Sequence, residues 1–127
     1  MKEIDQYYFP GHPPQTFWTE EKCFITVLFG EDDAPNVSLA IAAVKPGVTT
    51  QLHALDHTDE VHIIRQGKGL AEINHMPIEV AVGDKVFVPK GISQRVTNTG
   101  IEDLEFYCIC LPRFVPDCYI NLDNAID

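Results

Sequence analysis

Turn-forming residues interrupt this chain every eight to twelve positions, and no stretch between them carries a helical period long enough for a major helix. The punctuation runs Gly30-Glu31-Asp32-Asp33, Pro46-Gly47, Gly67-Lys68-Gly69, Asn74 to Pro77, Gly83-Asp84, Pro89-Lys90-Gly91 and Asn98-Thr99-Gly100. Glycine supplies positive φ, and proline fixes φ while removing a donor, so each cluster ends the element before it. The intervening runs are rich in Val, Ile, Phe and Thr, which suit a pleated, half-buried surface. They predict strands at Phe24–Phe29, Val37–Val44, Thr49–Leu52, Val61–Arg65, Leu70–Ile73, Ile78–Val82, Lys85–Val88, Gln94–Asn98 and Leu104–Leu111. Ala40 to Val44 has helix-forming composition, but Pro46-Gly47 closes it early. Short strands at this spacing predict an all-β sandwich or barrel, and 127 residues suit one domain.

The expected barrel spans residues 21–115. An extended, proline-containing arm (1–20) precedes it and an acidic tail (116–127) follows. Both ends carry apolar or aromatic residues (Tyr7, Tyr8, Phe9, Trp18; Phe114, Tyr119, Ile120), so they are expected to lie across the barrel or a neighbouring subunit. Phe24–Phe29 and Val86–Val88 are apolar on both faces, which predicts a covered outer surface and hence a homodimer. Nine basic against nineteen acidic residues give a net charge of −10, which argues against nucleic acid and anionic membranes as partners. No apolar run approaches the ~20 residues of a membrane span. The first ten residues lack the apolar stretch of a secretion leader, which predicts a cytoplasmic chain. Cys23, Cys108, Cys110 and Cys118 then read as reduced thiols, with Cys108 and Cys110 packing on one strand face.

His53, His57 and His62 fall within ten residues, with Glu60 among them. Strand parity places Glu60, His62 and Ile64 on one face, Thr49, Gln51 and His53 on another, and Gln94, Val96 and Asn98 on a third. If these faces line one barrel, imidazole, carboxylate and carboxamide converge in an apolar cavity, the composition of a small-molecule or metal pocket. Parity also nominates Phe87, Phe106 and Tyr107 as lining residues. His12 and His75 fall in turns and receive no role.

The spacings resemble the two cupin motifs. Gly47-x5-His53, Glu60 and Gly67 follow the first, G-x5-H-x-H-x4-E-x6-G, and Gly83-x5-Pro89-x-Gly91-x2-Gln94-x3-Asn98 follows the second, G-x5-P-x-G-x2-H-x3-N. The Thr-Thr-x-Leu-His-x-Leu, Ser-Gln-Arg-x-Thr-Asn and Cys-x-Cys-x-Pro-Arg-Phe runs are similar to a small bacterial subgroup often labelled sugar-phosphate-isomerase-like. The resemblance implies a single-domain jelly-roll cupin barrel, the double-stranded β-helix. It also implies a divalent metal (Mn, Fe, Zn or Ni) at the motif positions. Here the second motif histidine is Leu55 and the last is Gln94, so the implied ligands reduce to His53, Glu60 and Gln94, with His57 or His62 as replacements. Glu60 and His62 are the candidate catalytic pair.

Three functions follow. A metal-dependent enzyme would polarise a small polar metabolite for an isomerase, epimerase or lyase step, or use dioxygen if iron binds. A metal-free acid–base cupin would use His53 or His62 with Glu60. A non-catalytic barrel would only hold a small ligand. Nothing in the chain follows a hydrolase elbow, a P-loop or a dinucleotide fingerprint.

Overall fold

The computed structural model describes residues 3–11, 13–30, 33–34 and 36–123, leaving His12 and residues 124–127 of the expected tail outside the described set. The described residues form two antiparallel sheets. In spatial order the first holds β1 (Thr16–Trp18), β2 (Phe24–Phe29), β3 (Ser38–Val44), β10 (Leu104–Leu111), β5 (Asp59–Gln66) and β8 (Lys85–Val88). The second holds β11 (Tyr119–Asn121), β4 (His53–Leu55), β9 (Gln94–Asn98), β6 (Lys68–Ile73) and β7 (Met76–Ala81). Late strands sit between early ones, β10 between β3 and β5 and β9 between β4 and β6, so the chain crosses repeatedly from sheet to sheet as a jelly roll does.

Local sequence explains the punctuation. Asn74 and His75 both take positive φ (53° and 66°), which makes the two-residue turn that lets β6 and β7 pair from Lys68↔Ala81 to Ile73↔Met76. At Gly69 a Cβ would lie 2.6 Å from the Thr97 carbonyl oxygen and 2.7 Å from a Leu104 methyl, so the β6–β9 crossing admits only glycine.

Residues 49–52 do not form the expected strand. Thr49 makes one isolated bridge to Thr97, the Thr50 amide donates to Val96, the Gln51 amide to Glu21 and the Leu52 amide to the Asp123 carboxylate. Donors shared among three unrelated segments cannot build a ladder, so the strand begins only at His53, opposite Gln94. Two short strands lie outside the expected 21–115 barrel, β1 against β2 and β11 against β4, so both ends of the chain widen a sheet.

Val44 and Leu104, both fully buried, join Ala42, Ile64, Val88, Val96 and Phe106 between the sheets. A second cluster of Leu55, Cys110 and Cys118, backed by Phe114, Val115 and Tyr119, involves the C-terminal segment. Of the three lining residues nominated by parity, only Phe106 turns inward. Phe87 is 57% exposed, and Tyr107 lies on the outer face under the Arg65 guanidinium, 5.4 Å from its ring centre. Adjacent residues on a strand face opposite ways, so Phe106 and Tyr107 could not both line the interior.

Candidate active site

β5 runs between β10 and β8, and its alternate residues divide between inside and outside. Glu60, His62 and Ile64 are buried, whereas Arg65 is held outside by Glu105 (Nε to Oε1, 3.3 Å). β9 presents Gln94, Val96 and Asn98 from the opposite sheet, each buried. The Gln94 amide nitrogen donates to Glu60 Oε1 at 2.8 Å and so ties the two sheets across the interior. His62 Nε2 lies 3.3 Å from the same oxygen, and its ring leans on Phe106 with centroids 4.8 Å apart. Burial pushes the Glu60 carboxyl upward, but the His62 charge and hydrogen bond and the Gln94 amide outweigh it and bring the pKa to about 2. These neighbours favour the ionised form of the buried Glu60 carboxyl.

His53 approaches from β4. Its Nδ1 lies 2.8 Å from the Gln51 carbonyl oxygen. A carbonyl can only accept, so Nδ1 carries the proton and Nε2 keeps its lone pair whenever the ring is neutral. One face of the ring is covered by Tyr119 of β11, stacked at 4.8 Å and 20°, whose hydroxyl donates to the Gln51 side chain. Nε2 faces Glu21 Oε1 at 3.9 Å.

Sequence reasoning missed Glu21. It stands in the turn from β1 to β2, between Glu20 and Lys22, where an acidic residue carries no signal. The turn includes Lys22 at φ 72°, and its Glu21 carbonyl accepts from the Gln51 amide, which fastens this segment to the site. Burial raises the Glu21 pKa; the His53 charge opposes that shift and Glu60 adds to it. Cys108 receives only a packing role from the sequence, on one strand face with Cys110. It pairs directly with His62 across β10 and β5, and Glu60, His62 and Cys108 offer ligand atoms all within 4.8 Å of one another. Burial pushes the Cys108 thiol well up, with the Glu60 charge adding to the shift.

His57 is not brought to this group. It sits in a turn at φ 78°, its side chain is 84% exposed, and its Nε2 lies 2.9 Å from Asp56 Oδ1. Leu55, at the position of the second motif histidine, points into the Cys110–Cys118 cluster. The motif positions therefore present one imidazole, one carboxylate, one hydrocarbon and one amide whose nitrogen is already spent on Glu60. That set does not fit the four-donor metal site of a full cupin.

Comparison with known proteins agrees with the barrel. An uncharacterized protein of Methanocaldococcus jannaschii is 31% identical over 77 residues, covering 61% of this chain and 62% of that protein. An oxalate-binding protein of Thermotoga maritima is 32% identical over 66 residues, covering 52% of this chain and 54% of that protein. The match thus spans less than two-thirds of either relative. Streptomyces Pac13, a nucleoside dehydratase, in a variant solved with uridine, superposes with a TM-score of 0.73 at 14% identity, over 87% of this chain and 84% of that one. The family model for the cupin domain (Cupin_2) matches residues 40–110, more than half of the chain, and this protein belongs to that family.

Proposed function

We propose that the chain is an enzyme that moves a proton on a small polar metabolite inside the barrel, in an isomerase-, epimerase- or lyase-type reaction. One observation carries the reading: His53 is buried, clamped by Tyr119 and by the Gln51 carbonyl, with Nε2 alone left to give or take a proton. An imidazole whose far nitrogen is anchored to an acceptor is oriented for general acid–base work. Glu21 at 3.9 Å is its proton partner. Glu60 and His62 face it from the other sheet as a polar wall that orients the substrate.

The test begins with thermal-shift screening of small hydroxy acids, keto acids, sugars and nucleosides, followed by NMR of the ligand in D₂O. Solvent deuterium entering a carbon position at a rate at least about 10²-fold slower in His53→Gln, with binding retained, supports the assignment. A tight ligand that neither exchanges nor turns over makes the barrel a binding module. Exchange that His53→Gln leaves unchanged removes His53 from the chemistry.

The cellular setting follows from other features. All four cysteines are free, which suits a reducing compartment and supports a cytoplasmic location. No helix among the described residues is long and apolar enough to cross a membrane. The edge formed by β1 and β2 leaves Phe17, Trp18, Val27 and Leu28 exposed, apolar surface at an edge strand that suits a second copy. Light scattering at twice 14.2 kDa, returning to one mass in Trp18→Asp, supports the homodimer. A wild-type monomer refutes it.

A further inference from the structure

Glu60 is a buried carboxylate whose ion-pair partner is an imidazole, not a permanent cation. Such a group asks for positive charge. Two further neighbours with ligand atoms, His62 and Cys108, stand at none of the motif ligand positions. His62 follows Glu60 by two on β5 and so shares its inward face. Cys108 faces His62 directly from β10. Two alternate residues of one strand and the cross-strand neighbour of one of them form a triangle whose corners the sheet itself holds in place.

The geometry points to a binding site for a thiophilic divalent cation, zinc above all, made by Glu60, His62 and Cys108 and separate from the motif positions Leu55 and Gln94. The distances suit it. Bonds of ~2.0–2.3 Å to oxygen, nitrogen and sulfur set neighbouring ligand atoms of a tetrahedral zinc roughly 3.3–3.7 Å apart. Glu60 Oε1 and His62 Nε2 already stand 3.3 Å apart, and all three ligand atoms lie within 4.8 Å of one another. The Cys108 thiol is itself desolvated, so a cation there would displace its proton in a dry setting.

The donor chemistry selects the ion. One carboxylate oxygen, one imidazole nitrogen and one thiolate sulfur favour Zn²⁺ or Co²⁺, whereas Mg²⁺ and Ca²⁺ want oxygen throughout. Three protein ligands leave a fourth position, the arrangement of a catalytic and not a structural zinc site. Binding releases the thiol proton to solvent. The Gln94 amide, on Glu60 Oε1, then serves as the partner that orients the ligating carboxylate. This inference adds a cation beside the residues of the proposed reaction but does not require turnover, so each can fail without the other.

The test is Co²⁺ titration of chelator-treated, full-length protein followed by absorption. A near-ultraviolet thiolate-to-cobalt band should appear, be displaced by Zn²⁺ and be left intact by Mg²⁺. It should vanish in Cys108→Ser and persist in Cys118→Ser, with circular dichroism confirming that both variants are folded. Zn²⁺ affinity should fall at least about 100-fold in Cys108→Ser, since losing even a partner behind a ligand costs 10–100-fold. Cobalt that binds without the band, and is lost in His53→Gln but not in Cys108→Ser, would return the metal to the motif positions and overturn the inference. No cobalt or zinc binding in folded wild-type protein overturns it outright.

Discussion

Replacing Asn98 by alanine should cost about 3–5 kcal/mol, most of the stability margin of many small domains. Asn98 ends β9 and is 1% exposed. Its amide nitrogen donates to the Val44 and Glu102 carbonyls, both at 2.8 Å, and its Oδ1 accepts from the Gly100 amide at 2.8 Å. One side chain thereby joins β3, β9 and the turn that leads to β10. Each bond contributes roughly 1 kcal/mol net, so their loss removes ~3 kcal/mol. The Val44 carbonyl, deep in the core, then keeps only part of its bonding, which adds ~1–2 kcal/mol. Urea unfolding followed by far-ultraviolet circular dichroism should show the midpoint falling at unchanged slope, and Tm dropping by roughly 10–20 °C. Asn98→Asp sharpens the test: it keeps the acceptor for Gly100 but turns a carboxylate oxygen toward two carbonyls, so it should be at least as damaging at neutral pH. A loss below about 1 kcal/mol in Asn98→Ala, or an Asp variant close to wild type, would refute the reasoning.

Other consequences can be measured alongside. Glu21→Gln should stabilise the fold at neutral pH. A carboxyl with a raised folded pKa contributes stability that is full below its ordinary value of 4.5 and lost as pH rises through the folded value, so the difference should disappear in acid. A Glu21→Gln protein less stable than wild type at pH 7 would show that the 3.9 Å approach to His53 holds the fold. The Arg95–Glu72 pair, at 2.7 Å but with side chains 38% and 26% exposed, should cost less than about 1 kcal/mol when Arg95 becomes Ala; a loss above 2 kcal/mol would contradict that. Burial pushes the Cys23 thiol to about 12, so in native protein at pH 8 it should react with a disulfide reagent at least about 10²-fold more slowly than in urea. Fast reaction of Cys23 in folded protein would place it on a mobile segment.

The barrel was legible because its strands are short, β-rich and closed by glycine and proline. β2, β8, β9 and β10 begin and end where the hydrophobic runs do. Period-two alternation also placed Glu60 and His62 on one buried face, and Gln94 and Asn98 on another. What the sequence hid depends on long-range placement. Glu21 reaches His53 only because the β1–β2 turn lies against residue 51. Tyr119 covers His53 only because β11 adds to β4. His57 drew notice by proximity in sequence, but a positive-φ turn carries it to the surface. Cys108 read as packing because a strand shows which way a side chain points and not which side chain faces it.

The Leu55 cluster bears on the order in which substitutions could have accumulated. Leu55 is 4% exposed and rests on Cys110 and Cys118, with Phe114 and Val115 behind them. A histidine placed there alone would have to displace the packing against Cys110, Cys118 and Phe114, and a ring nitrogen buried without a partner is costly. Restoring a ligand at this position therefore requires earlier changes among residues 110–118, the segment that brings the chain back over β4. Each of those changes is unfavourable while Leu55 remains, because it opens a gap beneath it. Position 55 and residues 110–118 are therefore coupled, and a polar side chain at 55 is tolerated only together with changes in that segment.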